Sequence, residues 1–357
     1  MNHDDRLSVK AMYRTTTLLQ LAALLLFQLM HPVSAADGEG GGKRPVVVRV
    51  KHPGAVDAFV PSPSIIRQMV RKGLGNLTGV DDPKVAWKAL IKEDDVVGIK
   101  VFSRPGATSG TRLPVVAAVI EELLEAGVPS SRIIIWDKRL TDLQLAGFLE
   151  LKERYGVDVV GSADQGYDEE YSYETSLIGS LVWGDLEFGR KGDGIGKRSY
   201  VSKLLTDRIT RIISIVPMLN HHQASVTGHL YSLAMGSVDN TFRFQTSTEH
   251  LNVAVPEIFA MPELYDRVSL VIEDALICQY EGEKLSLLHY SNVLNELWFS
   301  FDPVALDTTA ISVMNEQRRK AEAPIPSVNR MLYDNAALMK LGVAEESGKE
   351  IRRVELD

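Results

Sequence analysis

Lys100 interrupts the apolar run Val96-Val97-Gly98-Ile99-Lys100-Val101, and Asp137 closes the run Ile133-Ile134-Ile135-Trp136. An amine among such neighbours is costly to bury unpaired, so the two charges are expected either to face one cleft as catalytic groups or to neutralise each other as an internal pair. His221 and His222 follow Pro217 by a few residues. Histidine suits proton transfer and divalent metal binding. With Asp274 they make a candidate site of mixed His and carboxylate ligands, acceptable to zinc, manganese or iron. Their spacing fits no established metal motif, so a hydrogen-bonded or exposed pair stands beside that reading, as does acid or base work by His222. His229 lies seven residues beyond His222 and shares a helical face with it if the helix begins early enough. Asp302 precedes Pro303, the pattern of a helix N-cap with proline at the first helical position, and it is also a candidate catalytic carboxylate. Asp307, five residues on, sits early in the same helix.

The segment from Ser103 to Arg112 joins an expected strand to an expected helix. Ser103, Gly106, Thr108, Ser109, Gly110 and Arg112 are its candidate ligand contacts, because free backbone N–H groups ahead of a helix can hold a phosphate or carboxylate. The competing reading is an ordinary connection punctuated by glycine. Gly189 to Ser199 is also rich in glycine, but it fails the nucleotide-loop pattern at Lys191 and Arg198 and lacks the spacing of a dinucleotide fingerprint. Asp168-Glu169-Glu170 has no calcium-loop pattern and reads as a solvated acidic loop.

Strands and helices alternate in the order needed to hold these residues. Val46 to Val50, Val96 to Phe102, Ile133 to Trp136, Val157 to Val160, Ile209 to Val216, Val268 to Ile272 and Leu297 to Phe301 read as strands. Helices are expected at Ile65 to Leu74, from Pro83, at Leu113 to Ala126, Thr141 to Phe148, Ala224 to Ala234, Pro303 to Gln317 and Asn329 to Leu341. The expected fold class is therefore α/β, with a mostly parallel sheet flanked by helices. Residues 161–199 break the pattern and read as an insertion of hairpins and glycine-rich loops. In such sheets ligands sit beyond the carboxyl ends of the strands, where Lys100, Asp137 and His221 fall.

Several of these segments carry a resemblance. Val96 to Val101 and Ile133 to Asp137, then Ile215-Val216-Pro217 through His222, Leu233-Ala234-Met235-Gly236-Ser237, and Phe301-Asp302-Pro303-Val304-Ala305-Leu306-Asp307 look like the domain of unknown function 362 family, over roughly Val46 to Val354. The resemblance implies the α/β fold; the family has no established activity to transfer. Relatives commonly carry lysine where Asn220 stands and another near Tyr231, and some append cysteine-rich ferredoxin-like segments. This chain has neither, which weakens a lysine-dependent step.

Export is expected from the first residues. Arg6, Lys10 and Arg14 precede an apolar run, and Val33-Ser34-Ala35 supplies a cleavage site. Residues 1–35 read as a signal peptide, 36–44 as a Gly-rich linker and 45–357 as one large domain, giving a periplasmic or secreted protein with no membrane span after cleavage. The formal net charge of -8 over 357 residues argues against nucleic-acid partners. A single cysteine, Cys278, rules out an intrachain disulfide and an iron–sulfur cluster. The expected function is hydrolase- or transferase-like action on a small anionic ligand, with a divalent metal as an optional cofactor. The alternatives are a non-catalytic envelope protein that binds such a ligand, and a partner-binding protein with a vestigial cleft.

Overall fold

The computed structural model describes residues 44–357; the expected signal peptide and nearly all of the linker lie outside the described residues. β1 (Val46–Lys51) and the two-residue strands β2 (Val56–Asp57) and β3 (Val60–Pro61) lead into helices α1 (Pro63–Thr78) and α2 (Pro83–Leu90). Both helices have proline in their first turn, and Asp82 caps α2 by accepting from Lys84 N at 2.9 Å. Then follow β4 (Val97–Val101), α3 (Leu113–Glu125), β5 (Ile133–Asp137), α4 (Leu140–Leu145), α5 (Leu149–Tyr155) and β6 (Asp158–Gly161). The β4 and β5 runs are buried at every position, as strands covered on both faces must be.

β7 (Tyr167–Glu174) and β8 (Arg198–Ser202) form an antiparallel hairpin off the main sheet. β9 (Arg211–His221), β10 (Ser225–Val226), α6 (His229–Ser237), α7 (Thr248–Phe259), β11 (Val268–Gln279), β12 (Ser291–Ser300), α8 (Pro303–Lys320), α9 (Arg330–Leu338) and β13 (Glu350–Glu355) complete the chain. The main sheet runs β13-β1-β12-β11-β9-β4-β5-β6, with β10 attached to β9. Along that path every strand shares one direction except β12, which is antiparallel to both neighbours. The fold is thus α/β with a mostly parallel sheet.

Strand alternation sorts the core onto two faces. Val97, Ile99, Ile213, Ile215, Leu270 and Ile272 pack toward α1, α2, α3 and α5. Ile134, Trp136, Ile212 and Val271 pack toward α6, α7, α8 and α9. Lys100, Ser214 and Glu273 share the parity of the second set, on the adjacent strands β4, β9 and β11, with Lys100 in register with Ser214. From β4 the chain moves outward through β5 and β6; it then crosses back to β9 and moves outward through β11 on the other side. The β4–β9 junction is therefore the topological switch point, where the crossovers diverge and leave a crevice at the carboxyl ends of the strands.

Differences from the sequence expectation are local. The helix expected at 224–234 begins only at His229, because Ser225 and Val226 pair back on His221 and Asn220 as β10. The strand expected at 268–272 extends to Gln279, and α7 and β13 were not anticipated.

Candidate functional site

At the switch point a cleft of about 350 Å³ is lined by Phe102 and Arg104 after β4, by Leu219 to Gln223 at the end of β9, and by Thr227, Tyr231, Gln245, Glu283 and Lys284. The tight β9–β10 turn places His222 at its tip, largely exposed, and turns His221 inward. His221 Nδ1 accepts from Gln223 N at 3.3 Å and Ala224 N at 3.1 Å, and its ring lies against Tyr231 with centroids 4.3 Å apart. Burial drives its pKa down to about 4, against the pull of Glu283. It is therefore a neutral ring with the proton on Nε2, a fixed hydrogen-bond donor rather than a base. Asn220 spends its carbonyl oxygen on Glu283 N at 2.9 Å, which leaves its amide N–H groups uncommitted. Glu283 in turn accepts from His222 N. Arg104 and Lys284 make no ion pair or hydrogen bond among the described residues, although both line this cleft.

Beneath α6 a row of buried polar groups crosses the sheet. Lys100, with no exposed surface, donates to Val101 O at 2.7 Å, Ser232 Oγ at 2.8 Å and Asp137 Oδ1 at 2.9 Å. All three ammonium protons are used. Asp137 also accepts from Lys138 N at 2.8 Å and from the backbone and hydroxyl of Ser103 at 2.7 Å each. Burial lowers the Lys100 pKa while the Asp137 carboxylate opposes the shift. Of the two sequence expectations for Lys100 and Asp137, the structure shows the internal pair. The close fit of α6 depends on Gly236, where a Cβ would stand 2.6 Å from Lys100 Cε.

On the other side of Ser214 the row continues differently. His229 Nδ1 lies 2.8 Å from Ser214 Oγ, and its Nε2 lies 3.5 Å from Glu273 Oε2. Neither Nε2 nor either Glu273 oxygen has a hydrogen-bond partner, and both residues are fully buried. Asp307, on the first turns of α8, reaches the N-terminus of α6 and accepts from His229 N at 2.7 Å and Leu230 N at 3.1 Å, a cap donated by another helix. Gly228 permits this: its φ of 51° is a left-handed conformation, and a Cβ there would stand 2.6 Å from Asp307 Oδ2. Lys138 donates to Val238 O at the opposite end of α6. Burial pushes His229 down to about 3, helped by the Lys100 charge. Burial likewise lifts Asp307 to about 7 and holds Glu273 well above the carboxylate range, with Asp307 and Asp274 adding to the latter. Among the described residues, His229, Glu273 and Asp307 are the one group of three potential ligands whose donor atoms all lie within 4.8 Å of one another.

The metal set expected from sequence, His221, His222 and Asp274, is not assembled. Asp274 is committed to Arg112, whose guanidinium lies 3.0 Å from Oδ1 and whose backbone N–H donates to Oδ2 at 3.0 Å. His221 Nδ1 is held by its own turn.

Most donors of the expected anion loop are spent internally, and of its named contacts only Thr108 keeps its N–H and hydroxyl uncommitted. Ser103 N goes to Asp137, Gly106 N to Ser103 O, Gly110 N to Gly106 O and Arg112 N to Asp274. Ser109 Oγ donates to Gln279 at 2.6 Å, and Thr108 is exposed on the single helical turn 106–109. Asp302 takes its structural alternative. It caps α8 by accepting from Ala305 N at 2.8 Å and also takes Val343 N at 2.9 Å, so it does not join Lys100 and Asp137. Cys278 is buried, with its thiol pKa pushed up by that burial.

Sequence reasoning passed over Glu273 and read Asp274 in its place. The signal that isolated Lys100, a charge inside an apolar strand, applied equally to Glu273; their shared face follows from the sheet registers.

No family model and no curated protein matches the chain. Among solved structures it is similar to a Thermotoga maritima protein from a structural genomics programme, at 11% identity and a TM-score of 0.42, over 73% of this chain and 60% of that one. The match spans less than two thirds of that protein's length. No helix among the described residues is long and apolar enough to cross a membrane.

Proposed function

We propose that the protein captures a small anionic ligand in the cleft at the β4–β9 switch point. The observation that carries this reading is the pair Arg104 and Lys284, two cations without acidic partners that line one cleft beside the uncommitted amide of Asn220 and a neutral His221. Fixed N–H donors with two exposed cations suit a carboxylate or oxyanion more than a cation or an apolar molecule. The one acid in the cleft, Glu283, accepts a backbone N–H from His222, so the balance there stays cationic although the whole chain is acidic. Capture is favoured over hydrolase- or transferase-like turnover because three of the four expected catalytic residues are spent on structure: Lys100 and Asp137 satisfy each other out of solvent, and Asp302 caps a helix, which leaves His222 alone at the exposed tip of the β9–β10 turn. Together with the export signal read in residues 1–35, this describes an envelope binding protein.

The test is a thermal-shift and calorimetric screen of inorganic phosphate, sulfate, succinate and citrate against the mature protein and the R104A/K284A double variant. A ligand that raises Tm in the wild type and loses at least tenfold in affinity in the double variant supports the reading. Equal affinity in the two proteins sinks it, as does the absence of any response across the panel.

A further inference from the structure

We propose that His229, Glu273 and Asp307 form a binding site for a single divalent first-row transition-metal ion such as zinc or manganese, enclosed in the core as the chain folds. The site is separate from the cleft. The three side chains come from the first residue of α6, the middle of β11 and the second turn of α8, and all three are without exposed surface.

What points to an ion is the pattern of unmet valence. Buried carboxylates are ordinarily hydrogen-bonded or paired, yet both oxygens of Glu273 and the facing Nε2 of His229 lack any partner. Their separation of 3.5 Å exceeds a good hydrogen bond. It lies close to the edge of a tetrahedron built on metal–ligand bonds of about 2.0–2.1 Å, which is roughly 3.3 Å.

The surroundings fit the same reading. Ser214 Oγ, 2.8 Å from Nδ1, can accept the Nδ1 proton and so turn the Nε2 lone pair toward Glu273, which is how metal-bound imidazoles are usually held. Asp307 is steadied by one N–H on each oxygen and keeps its remaining lone pairs. Charge is the third argument. The ammonium of Lys100 belongs to Asp137, so nothing cationic among the described residues pairs with Glu273 or Asp307, and a dication would balance the two carboxylates. An imidazole with two carboxylates suits zinc, manganese or iron(II) and not the thiophilic ions.

The site would be loaded during folding and exchange slowly, because a solvent path to it would require α6 to lift. The experiment therefore uses untagged protein unfolded in urea with a chelator, then refolded without metal, with Zn2+ or with Mn2+, passed over a desalting column and measured for metal content and Tm. The expected result is one ion retained per chain and a Tm above that of the metal-free protein by on the order of 5 °C. The E273Q variant, which keeps size and hydrogen-bonding capacity, should retain none. If E273Q fails to refold, S214A serves instead, with metal affinity lowered about 10–100-fold. Wild type that refolds and retains neither ion overturns the proposal in favour of a protonated Glu273 hydrogen-bonded to His229. Unchanged retention in E273Q, or unchanged affinity in S214A, overturns it equally. Anion binding in the cleft is read by a different assay and can fail or hold independently.

Discussion

On one side of Ser214, Lys100 places its three protons on Val101, Ser232 and Asp137; on the other, two oxygens of Glu273 face His229 with no donor at all. Both halves lie on one face of the sheet under the same short helix, and both bring ionisable groups into the core. The first half closes on itself, with Asp137 accepting four hydrogen bonds, so no valence remains for a ligand. The second half stays open. Satisfied valence marks Lys100 and Asp137 as structural despite their promising appearance in the sequence, whereas unmet valence marks Glu273 as a place for a ligand.

The largest expected effect comes from breaking the closed half. Lys100→Met leaves the Asp137 carboxylate buried without its counter-charge, and the cost is expected at about 3–5 kcal/mol in urea denaturation. The double variant K100M/D137N should recover most of that loss, because two neutral groups of similar volume replace a desolvated pair. A K100M protein as stable as wild type would mean that the pair does not hold the row together.

A smaller effect tests the fit of α6 over that pair. In an ordinary helix interior Gly236→Ala would gain about 1 kcal/mol from propensity. Here the new methyl would meet Lys100 Cε at 2.6 Å. Lys100 cannot swing aside without surrendering its hydrogen bonds, so overpacking should reverse the sign to a loss of about 1–3 kcal/mol. If G236A is instead stabilising, the helix has slack above the row. Asp302→Ala comes next, at about 1–2 kcal/mol for a lost N-cap, with Val343 N also stranded.

How far all this could be read in advance depended on whether the signal was local. β4, β5 and β9 were legible because unbroken apolar runs between turns have few alternatives in a covered sheet. β13 was not, because Glu350-Ile351-Arg352-Arg353-Val354-Glu355 is an edge strand whose charges face solvent and whose place depends on pairing with β1, roughly three hundred residues earlier. α7 was obscured by Pro256 within it. The Lys100–Asp137 pair was legible as one of two possibilities, since each residue is a charge at odds with its own strand. The His229 group was not, because its members are joined only by tertiary packing: His229 and Asp307 stand 78 positions apart. Adjacent Asp274, which belongs to Arg112 on the opposite face of β11, drew the attention that Glu273 required.

The smallest expected effect concerns the cleft and separates its histidines. Burial of the His221 ring, with the charges of Lys284 and Arg104 adding to it, holds its pKa down to about 4, and protonating Nδ1 would also require it to release Gln223 N and Ala224 N. A depressed pKa keeps the ring neutral at every pH above that value. In a His222→Gln background, sulfate affinity should therefore stay flat from about pH 5 to 8, a span over which sulfate keeps its charge. Calorimetric titration at four pH values would show it. A rise in affinity as pH falls toward 6, removed by a further His221→Gln change, would mean that the imidazole charges when an anion arrives. The β9–β10 turn would then be yielding to the ligand, and the rigid neutral donor assigned to this cleft would have to give way to a cationic one.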